Sequence, residues 1–255
     1  MTRLVPLPAP INVVWFDTVD STNAVAERIV DAWLAAEEDR LAETVVVARR
    51  QTRGRGRGGH AWESPPGGLY ATWLAWLPVR SLAAVPMIVG VSLADAVEEL
   101  VPGARVGLKW PNDLQVDGRK LGGVLCTSHS DADAAWVAAG FGVNVDAAPS
   151  LPGDARPAPA SLRALGFSGE ADDAVWAIVS GFLRRVHPAI EGLEGTRARW
   201  AARSIHRVGE RLRLRLDARV VEGRLVGFGP AGELELEVAG ELQRFSAGEL
   251  VVTER

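Results

Sequence analysis

DLQVDGRKLGGVLCTS, Asp113–Ser128, is the stretch on which the fold turns. It carries enough apolar residues for strand and is punctuated by Asp117-Gly118. That pair accepts the positive φ angles of a two-residue hairpin turn. ARVGLKW (104–110) precedes it and AWVAAGFGVNVD (135–146) follows it. Three strand-forming stretches are thus joined by turns, with no room for a helix between them. Strict βαβ alternation is excluded, and the expected class is α+β with a mostly antiparallel or mixed sheet.

Further out, INVVWFDTVD (11–20), TVVVARR (44–50) and GLYATWLAWL (68–77) read as strands. STNAVAERIVDAWLAAEEDR reads as a helix, because Val25, Ile29 and Trp33 lie one turn apart beside Ala26, Val30 and Leu34. Ser21 stands where an N-cap belongs, its oxygen free to accept a backbone N–H. SLAAVPMIVGVSLADAVEEL predicts a buried helix capped by Ser81, and DDAVWAIVSGFLRRVHPAI a further one. PSLPGDARPAPAS (149–161) reads as a surface loop. The texture changes after His206. ERLRLRL alternates strictly, and short strands separated by GPAG and AGE turns follow, which predicts a small β-barrel. The expected organisation is therefore a domain of residues 1–206 and a barrel of residues 207–255.

The chain has 255 residues, 47% of them hydrophobic, and a formal net charge of −4. That balance argues against a chain built as a whole to hold nucleic acid. Cys126 is the single cysteine, so an internal disulfide is excluded and a reducing, cytoplasmic compartment is expected. No apolar run reaches about eighteen residues, and the N-terminus carries no signal-peptide core, so no membrane association is expected.

Against this acidic balance stands RRQTRGRGRGGHAW, Arg49–Trp62, with five arginines and four glycines in one segment. Glycines let backbone N–H groups converge, and arginine forks match carboxylate and phosphate oxygens, so the segment is a candidate anion cradle. A solvated loop and a weak RNA-binding segment are the competing readings. GRGRGG has neither the dinucleotide fingerprint nor the Gly-Lys-Ser/Thr ending of a P-loop. In KWPNDL, Pro111 ends a ladder and sets Asn112 and Asp113 on a rigid turn near Lys109. A lysine with a carboxylate suits phosphate and Mg2+, although the motif taken alone reads better as a plain Asn-Asp turn. Lys120 opens the apolar strand in which Gly122 and Gly123 remove side chains where something else approaches closely. Asn144, in GFGVNV, is a polar group on an apolar strand, or the mark of a bulge.

Together, DSTN, QTRGRGRGG…W, KWPNDL, RKLGGVL and GFGVNV resemble the biotin–protein ligase family in order and approximate spacing. The resemblance covers residues 12–150 well and the C-terminal strands more loosely. It implies an α+β catalytic domain similar to class II aminoacyl-tRNA synthetases, followed by an SH3-like barrel. It implies a ligase-only member, because the Ser-Thr-Asn motif begins at residue 21 and leaves no room for an N-terminal winged helix. The implied reaction joins biotin to ATP, giving biotinyl-5′-AMP and pyrophosphate, and then transfers biotin to a lysine of a biotin carboxyl carrier protein. Lipoate–protein ligases share the fold and chemistry and remain the alternative.

By motif position the resemblance places Ser21, Thr22, Asn23 and Gln51 at biotin. It places Gly54, Arg55, Gly56 and Arg57 at the carboxylate and then the adenylate, and Lys120 at both the carboxylate and the α-phosphate. Asn112 and Asp113 would hold ATP and Mg2+, helped by Lys109. Trp62 and Asn144 would lie near adenine and ribose, with Gly122, Gly123 and Gly142 letting ring systems rest on strand backbone. Lys120, Arg57, Asp113 and Lys109 carry the chemistry in this reading, and Asp113 is the metal ligand. A monomer or weak homodimer is implied. Gly58, Gly59 and His60 stand where some members carry further arginines.

Overall fold

The computed structural model describes residues 11–36, 41–131, 134–146, 148–149, 158–216 and 219–251. Its first half is a seven-stranded mixed sheet. The elements in chain order are β1 (Asn12–Val19), α1 (Thr22–Ala35), β2 (Thr44–Gln51), β3 (Gly68–Pro78), α2 (Val85–Leu100), β4 (Gly107–Lys109), β5 (Asp113–Val116), β6 (Arg119–Asp131) and β7 (Ala134–Asn144). The sheet order is β1-β2-β3-β7-β6-β5-β4. β1 and β2 are parallel, and every other pair in the sheet is antiparallel. The opening stretch is two strands, β5 and β6, rather than one. They are joined by Asp117 (φ 51) and Gly118 (φ 71), the two positive φ angles that the Asp-Gly pair predicts.

The sheet is covered on both faces, which is why its inner strands are apolar without alternation. Successive residues of β2 split between the faces. Val46 packs under α1 with Val25, Val30 and Trp136, whereas Val45 and Val47 join the larger core with α2 and α3 (Ala171–Glu191). α2 is the most buried helix, and Val79–Leu100 is long and apolar enough to cross a membrane by length and composition. Its apolarity is accounted for by the core, where Ile88, Val89, Val91, Leu93 and Ala94 are buried. Ser81 does not cap it. A 3-10 segment, Val79–Ala84, intervenes, and Pro86 supplies the fixed φ of the first helical turn instead.

A helix unforeseen in the sequence, α4 (Leu193–Arg203), follows α3. Its buried Trp200 stacks edge-on against Phe228 at 6.2 Å. Gly90 of α2 makes room for that indole, since a Cβ there would stand 2.9 Å from Trp200. The remaining strands, β8 (Arg211–Leu216), β9 (Arg219–Phe228), β10 (Leu234–Val238), β11 (Glu241–Phe245) and β12 (Glu249–Val251), form an antiparallel sheet in the order β11-β10-β9-β8-β12. Leu212 and Leu214 of β8 are buried while Arg211 faces solvent, as strict alternation requires. One continuous apolar cluster runs from the first sheet through α2 and Trp200 to Leu225, Phe228, Leu234 and Leu236 of the second.

Candidate active site

The site forms where α1 begins over the middle of the first sheet. Ser21 takes the N-cap place in extended conformation, but its side chain makes no capping bond, against expectation. Instead the Asp20 carboxylate accepts the Ser21 N–H at 2.8 Å, and hydrogen bonding to Arg28 holds that carboxyl well below its usual range. Thr22 and Asn23 turn inward and are buried. The Thr22 N–H donates to Gln51 Oε1 at 2.8 Å, and the Thr22 hydroxyl lies 3.2 Å from the same oxygen. Thr72, fully buried on β3, places its hydroxyl 2.8 Å from Thr22 Oγ1 and 3.0 Å from Asn23 Oδ1. Gln51 Nε2 donates to Ser64 Oγ at 2.9 Å, and the Ser64 hydroxyl donates to the Trp62 carbonyl at 3.0 Å. Burying these polar groups is affordable only because each has a partner. Thr72 and Ser64 were not among the sequence candidates. A hydroxyl midway along the apolar strand GLYATWLAWL was the one signal available.

Glycines bare the adjoining strand backbone. A Cβ on Gly142 would stand 2.8 Å from the Trp62 indole, and one on Gly122 would stand 2.5 Å from the Gly142 carbonyl. A Cβ on Gly140, also unforeseen, would collide with the Asn23 amide. Gly123 leaves a surface shared by Asp113, Lys120 and Trp62, each about van der Waals distance away. Lys120 Nζ stands 2.8 Å from Asp113 Oδ1 and 5.2 Å from the centre of the Trp62 ring, a cation–π distance. The hairpin explains this meeting. Gln115 pairs with Lys120 across it, and Asp113 stands two residues along β5 on the same face, so residues seven apart in sequence meet diagonally.

The basic segment is held in a defined shape. The Gly56 N–H donates to the His60 carbonyl at 2.7 Å and the Trp62 N–H to the Gly54 carbonyl at 2.9 Å, closing a small hairpin within the loop. Its cations are mostly matched by acids. Arg49 pairs with Asp17 and Asp172, Arg53 with Asp20, and Arg55 with Glu27 of α1. Arg57 differs: it donates to the Gly248 carbonyl at 3.2 Å and has no ion pair among the described residues. Burial lowers its pKa, with Asp113 and Glu249 near enough to oppose that shift. An open groove of about 350 Å³ runs beside Gln51, Gly54, Trp62 and Ser64 and is flanked by Arg50 and Arg53.

Two amides serve the scaffold. Asn112 Nδ2 donates to the Val124 carbonyl at 2.7 Å, pinning the Asn-Asp turn to β6. Asn144 Nδ2 donates to the Ala160 carbonyl at 2.9 Å, in regular pairing with Gly68 rather than at a bulge. Residues 150–157 of the proline-rich stretch lie outside the described residues, but its end is not surface loop. Ala160 and Ser161 are buried, and the Ala160 N–H donates to the Lys120 carbonyl at 2.8 Å. Lys109 stands half-buried on β4 with no ion pair among the described residues.

Trp62 thus lies between the groove, the Lys120 ammonium and the bared backbone of Gly142, an arrangement whose chemistry suits anionic ligands. Residues 15–144 match the model described as "Biotin/lipoate A/B protein ligase family", and the chain belongs to that family. The biotin–protein ligase 1, chloroplastic, of Arabidopsis thaliana is 38% identical over 109 residues, 40% of this chain and 30% of that protein. The match thus spans less than a third of that relative's length. The biotin–[acetyl-CoA-carboxylase] ligase of Paracoccus denitrificans is 30% identical over 249 residues, 91% of this chain and 96% of its own. The structure of the biotin protein ligase from Aquifex aeolicus in complex with biotin and ATP superposes with a TM-score of 0.72 at 27% identity, covering 94% of this chain and 97% of that one.

Proposed function

We propose that the chain activates biotin with ATP and transfers the biotinyl group to a lysine of a biotin carboxyl carrier domain in a biotin-dependent carboxylase. A biotin carboxylate oxygen attacks the α-phosphorus, pyrophosphate leaves, and a mixed anhydride forms. The carrier amine then attacks the acyl carbon and AMP leaves. The observation that carries this reading is the junction of two unlike surfaces at Trp62. A neutral network of buried Thr22, Asn23 and Thr72 with half-buried Gln51 adjoins a charged one (Lys120, Asp113, Arg57). The network suits a polar ureido head group, and a bound group that left its donors unpaired would lose about 1–3 kcal/mol for each.

In this reading Lys120 meets the carboxylate and the α-phosphate, and Arg57 holds the phosphoryl oxygens. Two anions must approach each other, so fixed cations and positioning supply most of the catalysis. Trp62 and the bared backbone of Gly122, Gly123 and Gly142 flank the ring systems, and Asn144 fixes the strand end beside the ribose. Among the described residues no three metal-ligating side chains cluster together. The single carboxylate of Asp113 fits Mg2+ that arrives on the nucleotide, since such an ion keeps its waters and phosphate ligands. Mg2+ would neutralise phosphate charge there, while Lys109 and Asn112 steady the turn that presents Asp113.

Residues 49–62, already held in shape by their own hydrogen bonds, would cover the adenylate and shelter it from water. We also propose a boundary near residue 206, a catalytic unit similar to class II aminoacyl-tRNA synthetases, and an SH3-like character for the second sheet. A cytoplasmic monomer or weak homodimer without nucleic-acid or membrane partners completes the reading, supported by the lone thiol and the acidic balance. The test is ATP–pyrophosphate exchange with biotin, lipoate or octanoate as the acid. Exchange dependent on biotin alone is the expected result, and equal rates with lipoate would overturn it.

A further inference from the structure

Arg57 is anchored unlike the other partnered arginines of its loop. Arg49, Arg53 and Arg55 meet carboxylates, which neutralise them. Arg57 meets a backbone carbonyl of the second sheet, which orients a guanidinium without cancelling its charge. The acceptor, Gly248, lies between β11 and β12 at φ +137, where L side chains rarely go. A Cβ there would stand 2.6 Å from Leu214 Cδ1 and 3.0 Å from the Arg215 carbonyl, so the turn is tightly set on β8. The same sheet holds the site a second time, where Trp110 Nε1 donates to the Gly232 carbonyl at 3.0 Å.

We propose that Gly248 is a positioning residue for Arg57, so that the C-terminal sheet fixes where the loop's one un-neutralised, half-buried guanidinium stands. This rests on the proposed ligase reading. A charge meant for a phosphoryl group must be ordered before the ligand arrives yet remain uncancelled, and a neutral acceptor on a rigid turn meets both demands. A carboxylate in that place would compete with the phosphate, and water would leave the long side chain to sample many rotamers.

The test compares Gly248→Ala with Gly240→Ala in the full chain. Gly240 also has positive φ (+87), lies in the β10–β11 turn of the same sheet, and has nothing within 4 Å of a built Cβ. Both variants are assayed below their melting temperatures. Gly248→Ala should lower kcat for adenylate formation on the order of 10–100-fold with KM for biotin little changed, and should release more free adenylate. Gly240→Ala carries the same kind of positive-φ strain but meets no neighbouring atom and anchors no loop arginine, so its exchange kinetics should stay within about twofold of the parent. In an Arg57→Lys background, Gly248→Ala should add almost nothing, because the two act as one unit. Equal effects of the two glycine variants, or full additivity with Arg57→Lys, would overturn the proposal. A parent protein without biotin-dependent exchange would instead sink the ligase reading. If Gly248→Ala does not fold, arginine side-chain NMR of the unliganded parent decides. Slow rotation of the Arg57 Nη groups supports the anchor, and averaging as fast as that of exposed Arg53 overturns it.

Discussion

The two halves of the site solve opposite problems. Around Thr72 the groups are neutral, buried and paired with one another, and their geometry is set by the sheet and by α1. Around Lys120 the groups are charged and partly exposed, with side-chain accessibilities of 39% for Lys120 and 20% for Asp113. The first half gains selectivity because a mismatched ligand leaves a buried group unsatisfied. In the proposed ligase reading the second gains rate, because fixed charge stabilises charge that develops during reaction. Substitutions should therefore divide cleanly into those that change which acid binds and those that change how fast it reacts.

The strongest test of that division is Lys120→Ala. Adenylate formation should fall at least about 10²–10³-fold, with biotin selectivity intact, since removing one preorganised donor has that scale of effect. Lys120→Arg should recover only part, because a planar fork does not replace a compact ammonium. Near-normal exchange by Lys120→Ala would erase the charged half as the seat of chemistry. Thr72→Val asks the reverse question. It removes one hydroxyl that serves Thr22 and Asn23 while preserving shape. KM for biotin should rise about 5–100-fold, from roughly 1–3 kcal/mol per orphaned group, with kcat nearly unchanged. A fall in kcat at constant KM would merge the two halves.

Asp113→Asn sharpens the comparison inside the charged half. It frees Lys120 from its carboxylate, so biotin without ATP should bind a few-fold tighter, within the roughly 0–1 kcal/mol of a partly exposed pair. The Mg2+ requirement of exchange should shift upward at the same time. Titrating biotin by calorimetry with and without MgATP reads both. Weaker binding of biotin alone would show that Asp113 assists the carboxylate rather than restraining Lys120.

The smallest effect is expected far from either half. His187 on α3 lies 2.9 Å from Glu43 Oε2, and that hydrogen bond raises the imidazole pKa above its ordinary value. A raised folded pKa means that protonation favours the fold. The stabilisation is complete below about pH 6.5 and is lost as pH climbs through the folded value. With the His187 side chain 44% exposed, it is worth about 1 kcal/mol or less. His187→Gln should flatten the melting temperature across that window and leave exchange kinetics untouched. An altered rate profile would connect this corner to the site.

The scaffold was more legible in the sequence than the site. Asp117-Gly118 announces its hairpin because two adjacent positive φ angles admit few residue pairs. The arginine–leucine alternation of β8 announces a sheet with one wet face. By contrast α4 went unread, since LEGTRARWAAR is mostly polar and buries just Thr196 and Trp200. The roles of Asn112 and Asn144 in clamping backbone were hidden, because their acceptors, Val124 and Ala160, lie 12 and 16 residues away. The Lys120–Asp113 pair lies diagonally across the hairpin, and the register shift that sets Gly123 opposite Asp113 is encoded by no local pattern. The acids that meet the basic loop were hidden in the same way, since Asp17, Asp20, Glu27 and Asp172 all come from segments outside it.

The edge-on meeting of Trp200 and Phe228 bears on how the molecule can come apart. Severing the chain near residue 206 would strip the aromatic partner from a fully buried tryptophan and uncover Met87 beneath the Gly232 turn. Such a truncation would release a sticky remnant rather than a smaller working enzyme. Inherited or engineered lesions on the outlying sheet would then register as heat-sensitive catalysis, even where no altered atom lies near a substrate.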